Sequence, residues 1–240
     1  YDGRVDSSLF LLRQEDGVLP RSNALYHNNG AGAFAAVAGP GTAGDTGYGM
    51  GCAVGDYDND GRPDLYVTNY GANTLYHNTA NHNTADQDTD AGPFADVTAM
   101  AGTGDPHWGS SAAFFDYDND GDLDLYVANY LDLSPGNNRL CGGAVASAKS
   151  PQGRALRVPL AHRTYCSPRR YNGAPDVLYR NEGDGTFVDM TRASGVFSPF
   201  GKGLGVVAAD FDADSHMDLF VANDGMRNFL YSNGGDATFT

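Results

Sequence analysis

The stretch AVGDYDNDGRPDLYVTNYGANTLYHN, residues 53 to 78, recurs as AFFDYDNDGDLDLYVANY from residue 113 and as VAADFDADSHMDLFVANDGMRNFLYSN from residue 207. A repeat at this scale decides the architecture before any single motif does. Each copy runs from apolar residues into aspartates, leaves through an alternating DLYV-type run, and continues into a short LYxN-type run. An F-x-D-V/M-T run follows the first copy at Phe94 and recurs at Phe187. Four short strands per unit is the blade count of a β-propeller, so the predicted fold is all-β and propeller-like.

The first aspartates of the copies, Asp56, Asp116 and Asp210, are 60 and 94 residues apart. The second spacing therefore carries about 34 residues beyond the repeat, which fall between Leu131 and Pro175. The units are read as 1–49, 50–108, 109–200 with the insertion 131–175, and 201–240, in one propeller domain or part of one. YDGRVD at the start aligns with NDGRPD at 59–64, and NGGDATFT at the end aligns with the opening of NEGDGTFVDMTRASG at 181–195. The reading predicts an excerpt of a longer chain, with three complete units and two partial ones.

Within each copy, aspartates stand at loop positions 1, 3, 5 and 9: Asp56, Asp58, Asp60 and Asp64; Asp116, Asp118, Asp120 and Asp124; Asp210, Asp212, Asp214 and Asp218. Four carboxylates within nine residues repel strongly unless a cation lies among them. A hard ion with about six to eight oxygen ligands suits them, so Ca²⁺ is the expected cofactor. Mg²⁺ demands a stricter octahedron, and the loops lack the nitrogen and sulfur donors that zinc favours. A backbone carbonyl is expected from position 7, which is Arg62, Asp122 or His216. Glycine at position 6 (Gly61, Gly121) permits the positive φ that aims it inward. The third loop has Ser215 there and is expected to be weakest. Asp2 and Asp6 belong to a fourth site, truncated at the N-terminus. An EF-hand is excluded because its position-12 glutamate is replaced by Val67, Val127 and Val221.

Composition agrees. Of 30 acidic residues only Glu15 and Glu182 are glutamates, and the formal charge is −15. That charge opposes nucleic acid and anionic membrane as partners. Three filled sites would bring it to −9, which links metal binding to folding. Glycine, at 32 residues, supplies tight turns between Tyr-, Phe- and Val-rich runs. Cys141 and Cys166 share one segment and are expected to form a disulfide, leaving Cys52 as a buried free thiol in an apolar strand.

These loops and their flanks resemble the FG-GAP/VCBS repeat family of calcium-binding propellers found in secreted and cell-surface proteins. More narrowly, Cys141, the YCSP run at 165–168, DVLYRNEGDGTFVDMTRASGV and GLGVVAADFDADSHMDLFVAND are similar to the ASPIC/UnbV-type, cartilage-acidic-protein-like group. The resemblance implies calcium loops on one propeller face and ligand-contacting connections on the other. It also implies a secreted or cell-surface location, with a bacterial periplasm or outer surface as the prokaryotic equivalent.

On the ligand side fall His107, Trp108, Phe200 and Lys202. Loop aromatics can stack on sugars or peptide groups, and they more often pack against a neighbouring blade. The insertion carries Lys149, Arg154, Arg157, Arg163, Arg169 and Arg170 and is basic within an acidic chain; it is read as a solvated, disulfide-pinned loop or as a docking surface for an acidic partner. His27 and His77 share one slot in two LYHN strands and are read as structural. No nucleophile elbow, zinc-protease motif or phosphate loop occurs. The leading reading is a calcium-binding adhesion or scaffold module with protein or carbohydrate partners. The alternatives are a carbohydrate-active lyase or dehydratase using His107, Tyr165 and Arg163, and a structural subunit of an extracellular assembly.

Overall fold

The computed structural model describes residues 9–11, 23–37, 41–80, 93–134, 136–138, 141–142, 163–164 and 166–240. Its strands are β1 (Leu9–Leu11), β2 (Ala24–Asn28), β3 (Phe34–Ala36), β4 (Tyr48–Gly55), β5 (Asp64–Asn78), β6 (Phe94–Asp96), β7 (Gly109–Phe115), β8 (Asp124–Asn129), β9 (Cys141–Gly142), β10 (Arg163–Thr164), β11 (Val177–Asn181), β12 (Phe187–Asp189), β13 (Gly203–Ala209), β14 (Asp218–Asn223) and β15 (Phe229–Tyr231). One four-residue helix, Thr98–Ala101, follows β6 and ends on Gly102 in the left-handed region. All the described sheet pairing is antiparallel. The fold is all-β, and its sheets are propeller blades.

The sheets are ordered β1-β2-β3, β4-β5-β6, β12-β11-β8-β7 and β13-β14-β15, with β9 and β10 pairing apart in the insertion. β5 is one element that doubles back at Gly71, where φ is 105°. The amide of Asn78 thereby reaches the Asp64 carboxylate at 2.7 Å, fourteen residues away. Its two arms match β8 and β11 of the following blade, where the insertion replaces the turn. The threonine of each F-x-D-x-T run ties the outermost strand back: the Leu75 and Leu178 amides donate to Thr98 Oγ1 at 2.9 Å and Thr191 Oγ1 at 3.0 Å.

Among the described residues three apolar clusters form the core, one of them Ala43, Leu65, Val67 and Tyr76 with Phe94 against the second sheet, and the other two join blades. Tyr57, Tyr66, Leu75, Leu125, Val127, Tyr179 and Phe187 pack between the second and third sheets. Phe115, Tyr117, Tyr126, Leu178, Val196, Leu219, Val221 and Phe239 pack between the third and fourth. Burying each large side chain contributes about 1.5–3 kcal/mol. The first strands converge, β4 and β13 both packing on β7. Close approach dictates the small residues of β4: a Cβ on Gly51 would lie 2.7 Å from the Ser110 carbonyl oxygen, and one on Gly55 2.9 Å from Phe114.

That alternation corrects the expectation for Cys52, which is exposed. Strand period 2 sends Gly51, Ala53 and Gly55 toward β7, so the intervening Tyr48, Met50, Cys52 and Val54 all point to the opposite, exposed face. The disulfide between Cys141 and Cys166 is present.

Candidate metal centre and the opposite face

The aspartate loops join the first two strands of three successive blades, β4 to β5, β7 to β8 and β13 to β14, and one set of bonds repeats in each. The position-1 carboxylate curls the loop over itself: Asp56 accepts from the amides of Asp60 (3.0 Å) and Gly61 (2.9 Å). Asp210 accepts from Asp214 (3.1 Å) and Ser215 (3.0 Å), and Asp116 from Gly121 (3.0 Å). The position-5 carboxylates of Asp60, Asp120 and Asp214 each accept the amide of position 7, which is Arg62, Asp122 or His216, at 2.9 Å. Position 4 takes positive φ in all three loops (Asn59, Asn119, Ala213), as does position 6: Gly61 at 85°, Gly121 at 96° and Ser215 at 76°. The serine adopts the glycine conformation, at the steric cost its Cβ imposes.

Position 9 opens each second strand and is buried. Asp64 accepts from the amides of Tyr57 (3.2 Å) and Asn78 (2.7 Å), Asp124 from Tyr117 (3.0 Å) and Asn181 (2.9 Å), and Asp218 from Phe211 (3.0 Å) and Asn233 (2.8 Å). Burial pushes Asp64 up to about 6 and Asp124 up to about 7. Burial, then the neighbouring Asp120 and Asp116, also raise Asp118. Carboxylates crowded and desolvated in this way favour either a proton or a cation among them.

The loops gather ligand atoms. Asp56, Asp58 and Asp60 bring carboxylate oxygens within 4.8 Å of one another, as do Asp116, Asp118 and Asp124, and Asp210, Asp212 and Asp218. Asp120 and Asp214 stand outside the second and third triads. Asp116 Oδ1 and Asp118 Oδ1 are buried and accept no hydrogen bond among the described residues. Two orphaned anionic oxygens in an all-oxygen donor set fit a hard divalent cation. Asp2 and Asp6 lie outside the described residues.

Two features were missed in the sequence reading. The asparagines ending two of the LYxN-type runs clamp successive blades: Asn181 Nδ2 donates to the Tyr57 carbonyl and Asn233 Nδ2 to the Tyr117 carbonyl, both at 2.7 Å, while Asn78 Nδ2 donates to the Pro63 carbonyl of its own blade at 2.9 Å. The recurrence of this asparagine beside every loop was the available signal. Neighbouring loops also touch, through Asn59 Nδ2 to Asp122 Oδ1 (2.7 Å) and Asn119 Nδ2 with His216 Nδ1 (2.8 Å). The second feature is His77, whose ring faces the first loop, with Nδ1 3.1 Å from Asp58 Oδ2 and 3.3 Å from Asp64 Oδ1.

The ligand-side candidates separate into two places. Trp108 is held edge-on between Tyr70 and Tyr130, at centroid distances of 5.0 and 5.1 Å. Tyr48 extends this row, and the Tyr130 hydroxyl donates to Asp224 Oδ2 at 2.6 Å. His107 is half-exposed, its Nδ1 2.6 Å from Asp105 Oδ1, while Asp105 Oδ2 accepts from Asn129 Nδ2 at 2.6 Å. Phe200 and Lys202 instead line a cleft of about 590 Å³ with Asp132, Tyr171, Asn172, Gly173 and Pro199. Phe200 is 73% exposed, and Lys202 Nζ donates to the Pro168 carbonyl at 2.9 Å. Tyr165 lies outside the described residues, as do Lys149, Arg154 and Arg157, and of Arg163 only the strand is described.

Residues 2–67, 56–127 and 169–221 match the family model described as FG-GAP-like repeat. The chain is also similar to cartilage acidic protein 1 of Mus musculus and of Homo sapiens, 28% identical over 211 residues in each, covering 74% of this chain and 31% and 30% of those proteins. The Xenopus tropicalis protein of that name is 28% identical over 206 residues. The chain thus spans about a third of the length of these curated relatives.

Proposed function

Because the chain belongs to the FG-GAP-like repeat family, we propose that it is a calcium-stabilised binding or scaffold module working outside the cell. The observation that carries this reading is the buried, unpaired Asp116 Oδ1 and Asp118 Oδ1 at the second loop; the first and third loops share with it the clustering of three carboxylates. A calcium ion there supplies the positive charge the carboxylates lack. Asp116, Asp118 and Asp124 hold it in the second loop, Asp210, Asp212 and Asp218 in the third, with loop carbonyls and water completing the oxygen shell.

The residues around each site convert cation binding into rigidity. Position 9 bonds at once to its own loop and to the outer strand, and beside Asp124 and Asp218 the asparagines Asn181 and Asn233 bond to the preceding blade, so fixing one carboxylate fixes the blade corner. The disulfide and the similarity to cartilage acidic protein 1 support an extracellular setting. The opposite face, with its aromatic row and the Phe200–Lys202 cleft, then presents protein or carbohydrate contacts on a stiffened frame.

Calorimetric titration of chelator-treated protein with Ca²⁺ tests this directly. Saturable uptake is expected, reduced by one site in Asp116→Asn/Asp118→Asn. No uptake by a chain shown to be folded and metal-free would refute the reading.

A further inference from the structure

The three loops are built alike, but the side chain that leans over each from the outer strand differs. The residue before the asparagine that ends the LYxN-type run is His77 in the first, Arg180 in the second and Ser232 in the third. Their equivalence is fixed by geometry, since the amides of Asn78, Asn181 and Asn233 all donate to the position-9 carboxylate of their own blade. Arg180 turns to Glu182, its Nε and terminal nitrogen both bonding Oε1 at 2.9 and 2.6 Å.

His77 does something else. Its Nδ1 is buried and makes no hydrogen bond among the described residues, yet it faces oxygens of Asp58 and Asp64 at 3.1 and 3.3 Å. Those three residues form a ligand group of their own, within 4.8 Å. Donor atoms roughly 3.0–3.4 Å apart are what neighbouring ligands show around one ion at about 2.1 Å. Nε2 lies on the far side of the ring, 3.9 Å from Asp60 Oδ2, where a carboxylate can orient an imidazole that binds metal through its other nitrogen.

Calcium and magnesium take oxygen, whereas imidazole suits first-row transition ions and zinc. We propose that the first loop is a mixed carboxylate–imidazole site, in which Asp58, Asp64 and His77 Nδ1 hold a borderline divalent ion such as Zn²⁺ or Co²⁺ in preference to Ca²⁺. The second and third loops remain oxygen-only. One chain thus carries two classes of metal site, set by a single residue on the outer strand. The inference rests on the loops being cation sites, and its test separates the two claims.

Chelator-treated protein is saturated with Ca²⁺ and titrated with Co²⁺, whose visible absorption reports a nitrogen–oxygen site. One equivalent is expected to bind at least tenfold tighter than any further Co²⁺ and to be displaced by Zn²⁺. His77→Ser, which installs the third blade's residue, should weaken that equivalent at least tenfold while Ca²⁺ uptake by the other loops is unchanged. His77→Asn keeps the size and offers an oxygen in place of the nitrogen; it should lose the Co²⁺ preference and gain Ca²⁺ uptake at the first loop. Co²⁺ affinity within twofold of the parent in either folded variant would overturn the inference, as would equal Co²⁺ binding at all three loops. Calcium uptake measured on the same samples shows whether the cation-site reading stands by itself.

Discussion

The two ends of the blades follow different rules. At the loop end, the same bonds recur from blade to blade at nearly the same lengths, down to the amides of Tyr57, Tyr117 and Phe211 on the position-9 carboxylates. At the other end, each blade has its own solution: an aromatic row around Trp108, a short helix after β6, a disulfide-bearing insertion, and an open cleft beside Phe200. The loop end is shared framework and the far end is where this chain becomes particular. Substitutions should accordingly be costly and interchangeable among blades at one end, milder and local at the other.

The largest effect should come from Asp124→Ala. Asp124 is fully buried and accepts two buried amides, so truncation strands two donors and removes a ligand, costing about 3–5 kcal/mol in denaturant unfolding. Asp120→Ala, on an exposed turn, should cost under about 1 kcal/mol. Equal costs would break the distinction between position 9 and position 5.

Opening the disulfide at the far end, as Cys141→Ser/Cys166→Ser, should cost up to about 3 kcal/mol for a closure of 25 residues, while Ca²⁺ uptake stays unchanged. Altered Ca²⁺ affinity in that variant would show that the two ends are coupled.

Acidity offers a third separation. Asp176, between the Tyr126 hydroxyl and the Asn129 amide, is pushed up to about 7 by burial. A carboxyl raised when folded contributes stability in its protonated form, fully present below about 4 and lost as pH rises through about 7. With Ca²⁺ saturating, the parent should therefore lose stability relative to Asp176→Asn between pH 5 and pH 8. A difference that does not change with pH would show that Asp176 is ionised throughout.

The smallest effect is a gain. Ser215→Gly relieves a positive φ of 76° and should stabilise by about 0.5–1 kcal/mol net of the added chain freedom. It should also tighten Ca²⁺ at the third loop, and no gain in either would remove the serine as the reason for ranking that loop weakest.

Much of the loop end was readable because a repeat states its own constraints. The 1, 3, 5, 9 spacing, the position-6 glycines and the strand following each loop all follow from local chemistry within some ten residues. His77 escaped this reading because its partner carboxylates stand thirteen or more positions earlier and meet it only after β5 doubles back at Gly71. Asn181 and Tyr57, or Trp108 and Tyr70, likewise meet through blade stacking, which no local pattern encodes. The exposure of Cys52 was visible in principle: GMGCAVG alternates small with large residues, and the close approach of β7 selects the small ones. An apolar run by itself does not say which of its faces is covered.

The central claim is that cations at the aspartate loops hold the blades rigid. Thermal unfolding with saturating Ca²⁺ and after EGTA tests it most directly. Occupancy a hundredfold above Kd should add about 2.7 kcal/mol per independent site. The account predicts a large fall in Tm on chelation that Ca²⁺ restores better than Mg²⁺. An unchanged Tm in protein shown to be metal-free would contradict it and leave the loops as acidic turns held by their own backbone bonds.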